Sequence, residues 1–119
     1  MSEPLNPVTI EKSIRECANR IANGVRVCSE RYAAYLAADH AYDLAVAHAY
    51  LKAEGTATER AKATEIQTEQ ERTARDVAEG AYKHAERQSK ALEAELRALQ
   101  SVGASVRGMY AVAGRGEGA

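Results

Sequence analysis

Between residues 39 and 60, DHAYDLAVAHAYLKAEGTATER, two histidines, two aspartates and two tyrosines fall within about three helical turns ahead of a glycine. Histidine with aspartate is the raw material of a zinc site or a general base. A helical zinc pair places its histidines at i and i+4, as in H-E-x-x-H, so that one ion reaches both rings. His40 and His48 are eight residues apart, roughly 12 Å along a helix axis, and one ion cannot take both. A metal site would need ligands from a second chain. The stretch therefore reads as exposed helix, with Tyr42 and Tyr50 covering an alanine-rich contact. Asp39 stands where an apolar residue is expected, and pairing it with Arg72 or Arg75 would fix the register of two helices.

Elsewhere there is no phosphate-cradling glycine loop, nucleophile elbow or Cys/His metal spacing. The expectation is a non-enzyme without cofactor. Cys17 and Cys28 are eleven residues apart, about 16 Å on one helix, whereas a disulfide needs Cα atoms closer than about 7 Å. Two free thiols follow. With net charge −1 and interleaved acids and bases, no strong field selects nucleic acid or a lipid surface. There is no apolar run long enough for a membrane span and no basic-then-apolar leader, so the expected location is cytoplasmic.

These side chains must be carried by helices. In 119 residues alanine exceeds a fifth, Phe and Trp are absent, and both prolines lie in the first seven positions, a composition of long helices. Residues 1–6 read as a flexible arm, with Asn6 as N-cap and Pro7 as first helical residue. A first helix over 7–53 carries Ile10, Ile14, Cys17, Ile21, Val25, Cys28, Tyr32, Tyr35, Tyr42, Val46 and Ala49 on one face. The steps around Val25 imply a stutter, and Asn23-Gly24 implies a kink. Residues 54–56 form the turn: Gly55 suits a left-handed helix end, and Thr56 with Glu59 forms a capping box. A second helix over 57–112 shows its apolar line late, and 113–119 reads as a flexible, Gly-rich tail.

A short turn makes the two helices antiparallel. The fold class is all-α, a long coiled-coil-like two-helix hairpin. Its seam is expected at Ile14, Ile21, Cys28, Tyr35, Val77, Leu92, Leu96, Leu99 and Val106, with Ile14 opposite Arg97, Ile21 near Leu92, Cys28 near Tyr82 and Tyr35 near Val77. Two helices bury little surface, so the hairpin is expected to assemble with its own copies into a helical bundle. Lys83, Arg87, Lys90, Arg97, Arg107 and Arg115 are the candidates for contact with nucleic acid, diluted by Glu86, Glu93 and Glu95.

The runs YDLAVAHAYLKAEGTATERAKA and KALEAELRALQSVGASVRGMY resemble small helical proteins of unassigned function encoded by bacteriophages and prophages of actinobacteria, over Tyr42 to Tyr110. By analogy with phage recombination mediators, which are small, helical and oligomeric, this resemblance implies an accessory role in replication or recombination, with partners among the chain's own copies, single-stranded DNA, or a recombination or replication protein. The competing expectation is a structural protein or one that binds a host protein. Secreted WXG100-type hairpins are similar in length, and Tyr35-x-x-x-Asp39 and Tyr82-x-x-x-Glu86 imitate their tyrosine–acid signal. Those proteins carry Trp-x-Gly at the turn, where this chain has AEGTA.

Overall fold

The computed structural model describes residues 6–117, with side chains over 6–114. All of its regular elements are helices: α1 (Pro7–Lys52), α2 (Ala57–Gln67) and α3 (Glu69–Glu117), with the two long ones packed together. Asn6 caps α1, its Oδ1 accepting the Thr9 N–H at 2.9 Å. Gly55 takes φ +106°, and a Cβ there would meet the Glu59 carboxyl at 2.6 Å, so the turn requires glycine. Thr56 caps α2 by accepting the Glu59 N–H at 3.2 Å, while its hydroxyl donates to Oε1 of Glu59.

Where the sequence suggests one helix after the turn, there are two, separated at Thr68 (φ −106°, ψ 17°). The hydroxyls of Thr64 and Thr68 each donate to the carbonyl four residues back, at 2.8 and 2.7 Å. Back-bonding of this kind bends helices. The Thr68 N–H still reaches Thr64 O, and the Arg72 N–H reaches Thr68 O, both at 3.0 Å. The interruption is one residue wide. At the other end α3 runs to Glu117, through most of the stretch that reads as a tail; the remainder, like residues 1–5 of the arm, lies outside the described residues.

The chain divides into two compact units. The terminal unit joins Met1–Val25 with Arg87–Ala119. Ile10, Cys17, Gly103 and Val106 are buried there, and Ile14, Ile21, Leu92, Leu96 and Leu99 are half-buried. A Cβ on Gly103 would meet Cγ2 of Ile10 at 3.2 Å, so the missing side chain lets the isoleucine approach the α3 backbone. Burying such a side chain contributes roughly 1.5–3 kcal/mol. The Cys17 thiol donates to Leu92 O at 3.4 Å, and Arg20 meets Glu95 at 3.8 Å. The Cys17 bond is to the Leu92 backbone carbonyl, and Arg20 with Glu95 and Gly24 with Ser89 bracket Ile21 at the level of Leu92, whereas Ile14 approaches Gly103 instead of Arg97.

The α1 seam here runs through Ile10, Ile14, Cys17, Ile21 and Gly24, in steps of four and three. No stutter is present in this run. Gly24 takes the position assigned to Val25, which is 64% exposed, and a Cβ on Gly24 would lie 3.3 Å from the Ser89 hydroxyl. α1 passes through Asn23-Gly24 as one helix.

The turn unit, Arg26–Glu86, is packed differently. Its buried residues are Ala85, Thr64 and Thr68. Cys28 and Tyr35 are half-buried, but Val77 is 67% exposed and leaves the seam. The reason is phase. Buried and half-buried positions along α2 and α3 follow Thr64, Thr68, Glu71, Arg75, Ala78, Tyr82 and Ala85, again in steps of four and three. Polar residues hold the seam near the turn, and the apolar Val77 falls beside it. Tyr82 packs on Tyr32, ring centroids 5.0 Å apart, with Cys28 also close to it.

Candidate interaction surfaces

The histidines, aspartates and tyrosines of residues 39–60 lie in the turn unit, and the structure separates them. Asp39 is half-buried and pairs with Arg75 at 3.9 Å. The Arg75 guanidinium also lies 4.5 Å above the Tyr42 ring and bonds Asp76 at 3.2 Å. The Asp76 hydrogen bond, then the charges around it, hold the Arg75 pKa above the ordinary arginine value, against desolvation. Arg60 stacks on Tyr50 at 4.2 Å and donates from Nη2 to Tyr50 O at 2.8 Å. Both tyrosines serve as platforms for an arginine.

His40 and His48 are exposed, and among the described residues no group of three or more His, Cys, Asp or Glu could hold a metal ion. Cys17 and Cys28, both on α1, form no disulfide. The two tyrosine–acid spacings part company: the Tyr82 hydroxyl donates to Glu86 at 3.1 Å, while Asp39 turns to Arg75. The bond to Glu86, then desolvation and the nearby carboxylate charge, push the Tyr82 pKa above the ordinary tyrosine value.

Sequence reasoning missed a groove beside the turn, about 470 Å³ in volume. Ala45, Ala49, Ala53 and Ala63 supply its small apolar surface, with His48, Lys52, Gln67 and Glu71 at polar positions. Oε2 of Glu71 is buried without a hydrogen-bond partner among the described residues, as is Nε of Arg60. The available signal was the four-three spacing of Thr64, Thr68 and Glu71, legible only if polar residues are allowed in a seam.

The basic candidates fall into three groups. Lys83, in the turn unit, pairs with Glu79 at 2.8 Å. Arg107 lines a shallow recess of the terminal unit with Glu11, Ile14, Arg15 and Gln100, away from the others. Arg87, Lys90 and Arg97 are exposed on the outer side of α3 in the terminal unit. At about 100° per residue, Ala94 and Ser101 share that side, Glu93 neighbours both Lys90 (i+3) and Arg97 (i−4), and Glu95 is turned about a third of a turn away. Glu95 is engaged there by Arg20. The Arg115 side chain lies outside the described residues. No helix among the described residues is long and apolar enough to cross a membrane. Comparison of the chain with protein-family models, with curated proteins and with solved structures gives no match.

Proposed function

We propose that this chain is a self-associating, non-enzymatic helical protein of the bacteriophage type that acts by binding, with single-stranded nucleic acid held on the outer face of α3 as an accessory to replication or recombination in the bacterial cytoplasm. The observation that carries the reading is the row of Arg87, Lys90 and Arg97, three exposed cations on one side of α3, which outnumber Glu93, the carboxylate set between Lys90 and Arg97. Such a row neutralises phosphates, and self-association multiplies the contacts that one chain makes.

The test is anisotropy of a labelled single-stranded oligonucleotide across a salt series. The triple replacement Arg87→Ala, Lys90→Ala and Arg97→Ala is expected to weaken binding at least tenfold and to lower the slope of log K against log salt by about 2, at roughly 0.7 per phosphate contact. An unchanged slope, or no binding at low salt, sinks the reading. A second reading, a structural or host-protein-binding role without nucleic acid, is favoured by the exposed Leu44, Leu51 and Ile66, at 62%, 77% and 78%.

A further inference from the structure

α1 carries two heptad stripes. The inner one in the turn unit passes through Cys28, Tyr35, Ala38, Tyr42, Ala45 and Ala49, all half-buried. On the opposite side of the same helix, Ala33, Ala37, His40, Leu44, Ala47 and Leu51 recur in steps of four, three, four, three and four, and all six are exposed. The same outer heptad positions nearer the amino terminus hold Lys12, Glu16, Asn19, Asn23, Arg26 and Glu30, with ion pairs Lys12–Glu16 at 4.0 Å and Arg26–Glu30 at 2.7 Å. A solvated helix face has that polar character. Beyond Glu30 the face turns apolar at fixed phase. A helix that is apolar on opposite sides is one that packs on both.

We infer that residues 33–51 of α1 form the face on which a second copy of this chain docks, antiparallel about a two-fold axis near Tyr42. This deepens the self-association in the reading above and is independent of nucleic acid. Three observations name a second copy as the occupant. The four-three-four-three-four spacing is its own mirror image, so a reversed copy lays Ala33 on Leu51, Ala37 on Ala47 and His40 on Leu44 along about 27 Å. A self-complementary patch of this kind is what a two-fold interface requires. Slipping by one heptad sets Leu51 and Ala47 against Arg26 and Glu30, or Ala37 against Glu54, so the charged ends fix the register.

The charges at the centre agree. Asp43 flanks the stripe between His40 and Leu44, and the antiparallel arrangement brings each His40 beside the Asp43 of the second copy. A parallel copy would stack His40 on His40 and alanine on alanine. Leu36 and Tyr50, exposed by 39% and 36% on the Asp43 side, face one another across the same axis. The third observation is need. Among the described residues of the turn unit, Ala85 is the one buried apolar side chain, too small a core for a unit of that size to stand alone.

Light scattering after gel filtration, without nucleic acid, is expected to give twice the 12.8 kDa chain mass, falling to one chain in Leu44→Glu with helicity retained, because Leu44 is 62% exposed. Cysteine cross-linking in the otherwise unaltered chain sets the direction, with the wild type, which keeps Cys17 and Cys28, as control. Ala41→Cys is expected to cross-link to itself, and Ala37→Cys to cross-link to Ala47→Cys when the two are mixed. Ala37→Cys linking to itself as readily overturns the antiparallel face. A wild-type monomer overturns the inference together with self-association, and leaves the stripe to a different protein. An oligomer that persists in Leu44→Glu overturns this face alone.

Discussion

Both units pack α1 against α3 at the same heptad spacing, with α2 added in the turn unit, yet they are held by different forces. In the terminal unit Ile10, Cys17 and Val106 are 3%, 2% and 2% exposed, and Ile10 closes against Gly103. In the turn unit the seam holds threonines, alanine and an arginine, and its larger contacts are tyrosine–arginine and tyrosine–tyrosine stacks at the edge. Apolar burial is cooperative and insensitive to salt. Arginine stacks and half-exposed ion pairs contribute less each, and salt screens the charged part. A heptad therefore sets where helices touch without setting how strongly. The weaker region is also the one whose outer face is apolar.

The largest effect should come from the apolar region. Ile10→Ala removes a buried side chain that fills the space over Gly103 and should cost about 2–4 kcal/mol. Hydrogen exchange resolved by segment is the measurement. Protection should fall over 10–25 and 87–106 and persist over 26–86. An equal loss in both would mean that they open as one, and the contrast between them would fail.

In the turn unit, Arg75→Ala deletes the ion pair with Asp39, the bond to Asp76 and the stack on Tyr42 together. The expected cost is smaller than that of Ile10→Ala, and the ion-pair part should shrink as salt is raised in urea titrations. A cost as large as that of Ile10→Ala, constant with salt, would show that Arg75 acts by packing alone. Gly80→Ala sharpens the point from the opposite direction. A Cβ there meets nothing within 4 Å, so helix propensity should add about 0.5–1 kcal/mol of stability. A loss on thermal melting would reveal an occupied surface at that position.

The smallest effect is a titration. The raised pKa of Tyr82 means that its hydroxyl, donating to Glu86, is favoured neutral in the folded chain. Its stabilising contribution is complete below the ordinary tyrosine value of about 10 and is lost as pH climbs through the raised value. Tyr82→Phe should delete the latest-ionising component from the ultraviolet titration and change neutral-pH stability little. A titration curve of unchanged shape would put that component on another tyrosine.

Much of the architecture is legible in the residues themselves. Asn6, Gly55 and Thr56 with Glu59 bound the helices through local hydrogen bonds and one left-handed backbone angle, which depend on near neighbours in sequence. The spacing of Ile14, Ile21, Leu92, Leu96 and Leu99 marks the inner face, and Asp39 with Arg75 is readable as a pair once the helices are set antiparallel. Local chemistry and period are properties of sequence.

Only tertiary structure decided the phase at four places. Gly24 entered the seam because Ser89 approaches it closely, and Val25 was left outside. Thr68 broke the second helix because its hydroxyl and that of Thr64 bond back along the buried side. Arg75 and Ala78 took the positions that apolarity alone would give to Val77. The groove at Glu71 arose where small alanines meet polar seam residues. In each case the deciding quantity is the space between two helices, which a glycine, a threonine or a stacked arginine can fill as well as an aliphatic chain. Hydrophobicity read along one strand of sequence carries no measure of that space.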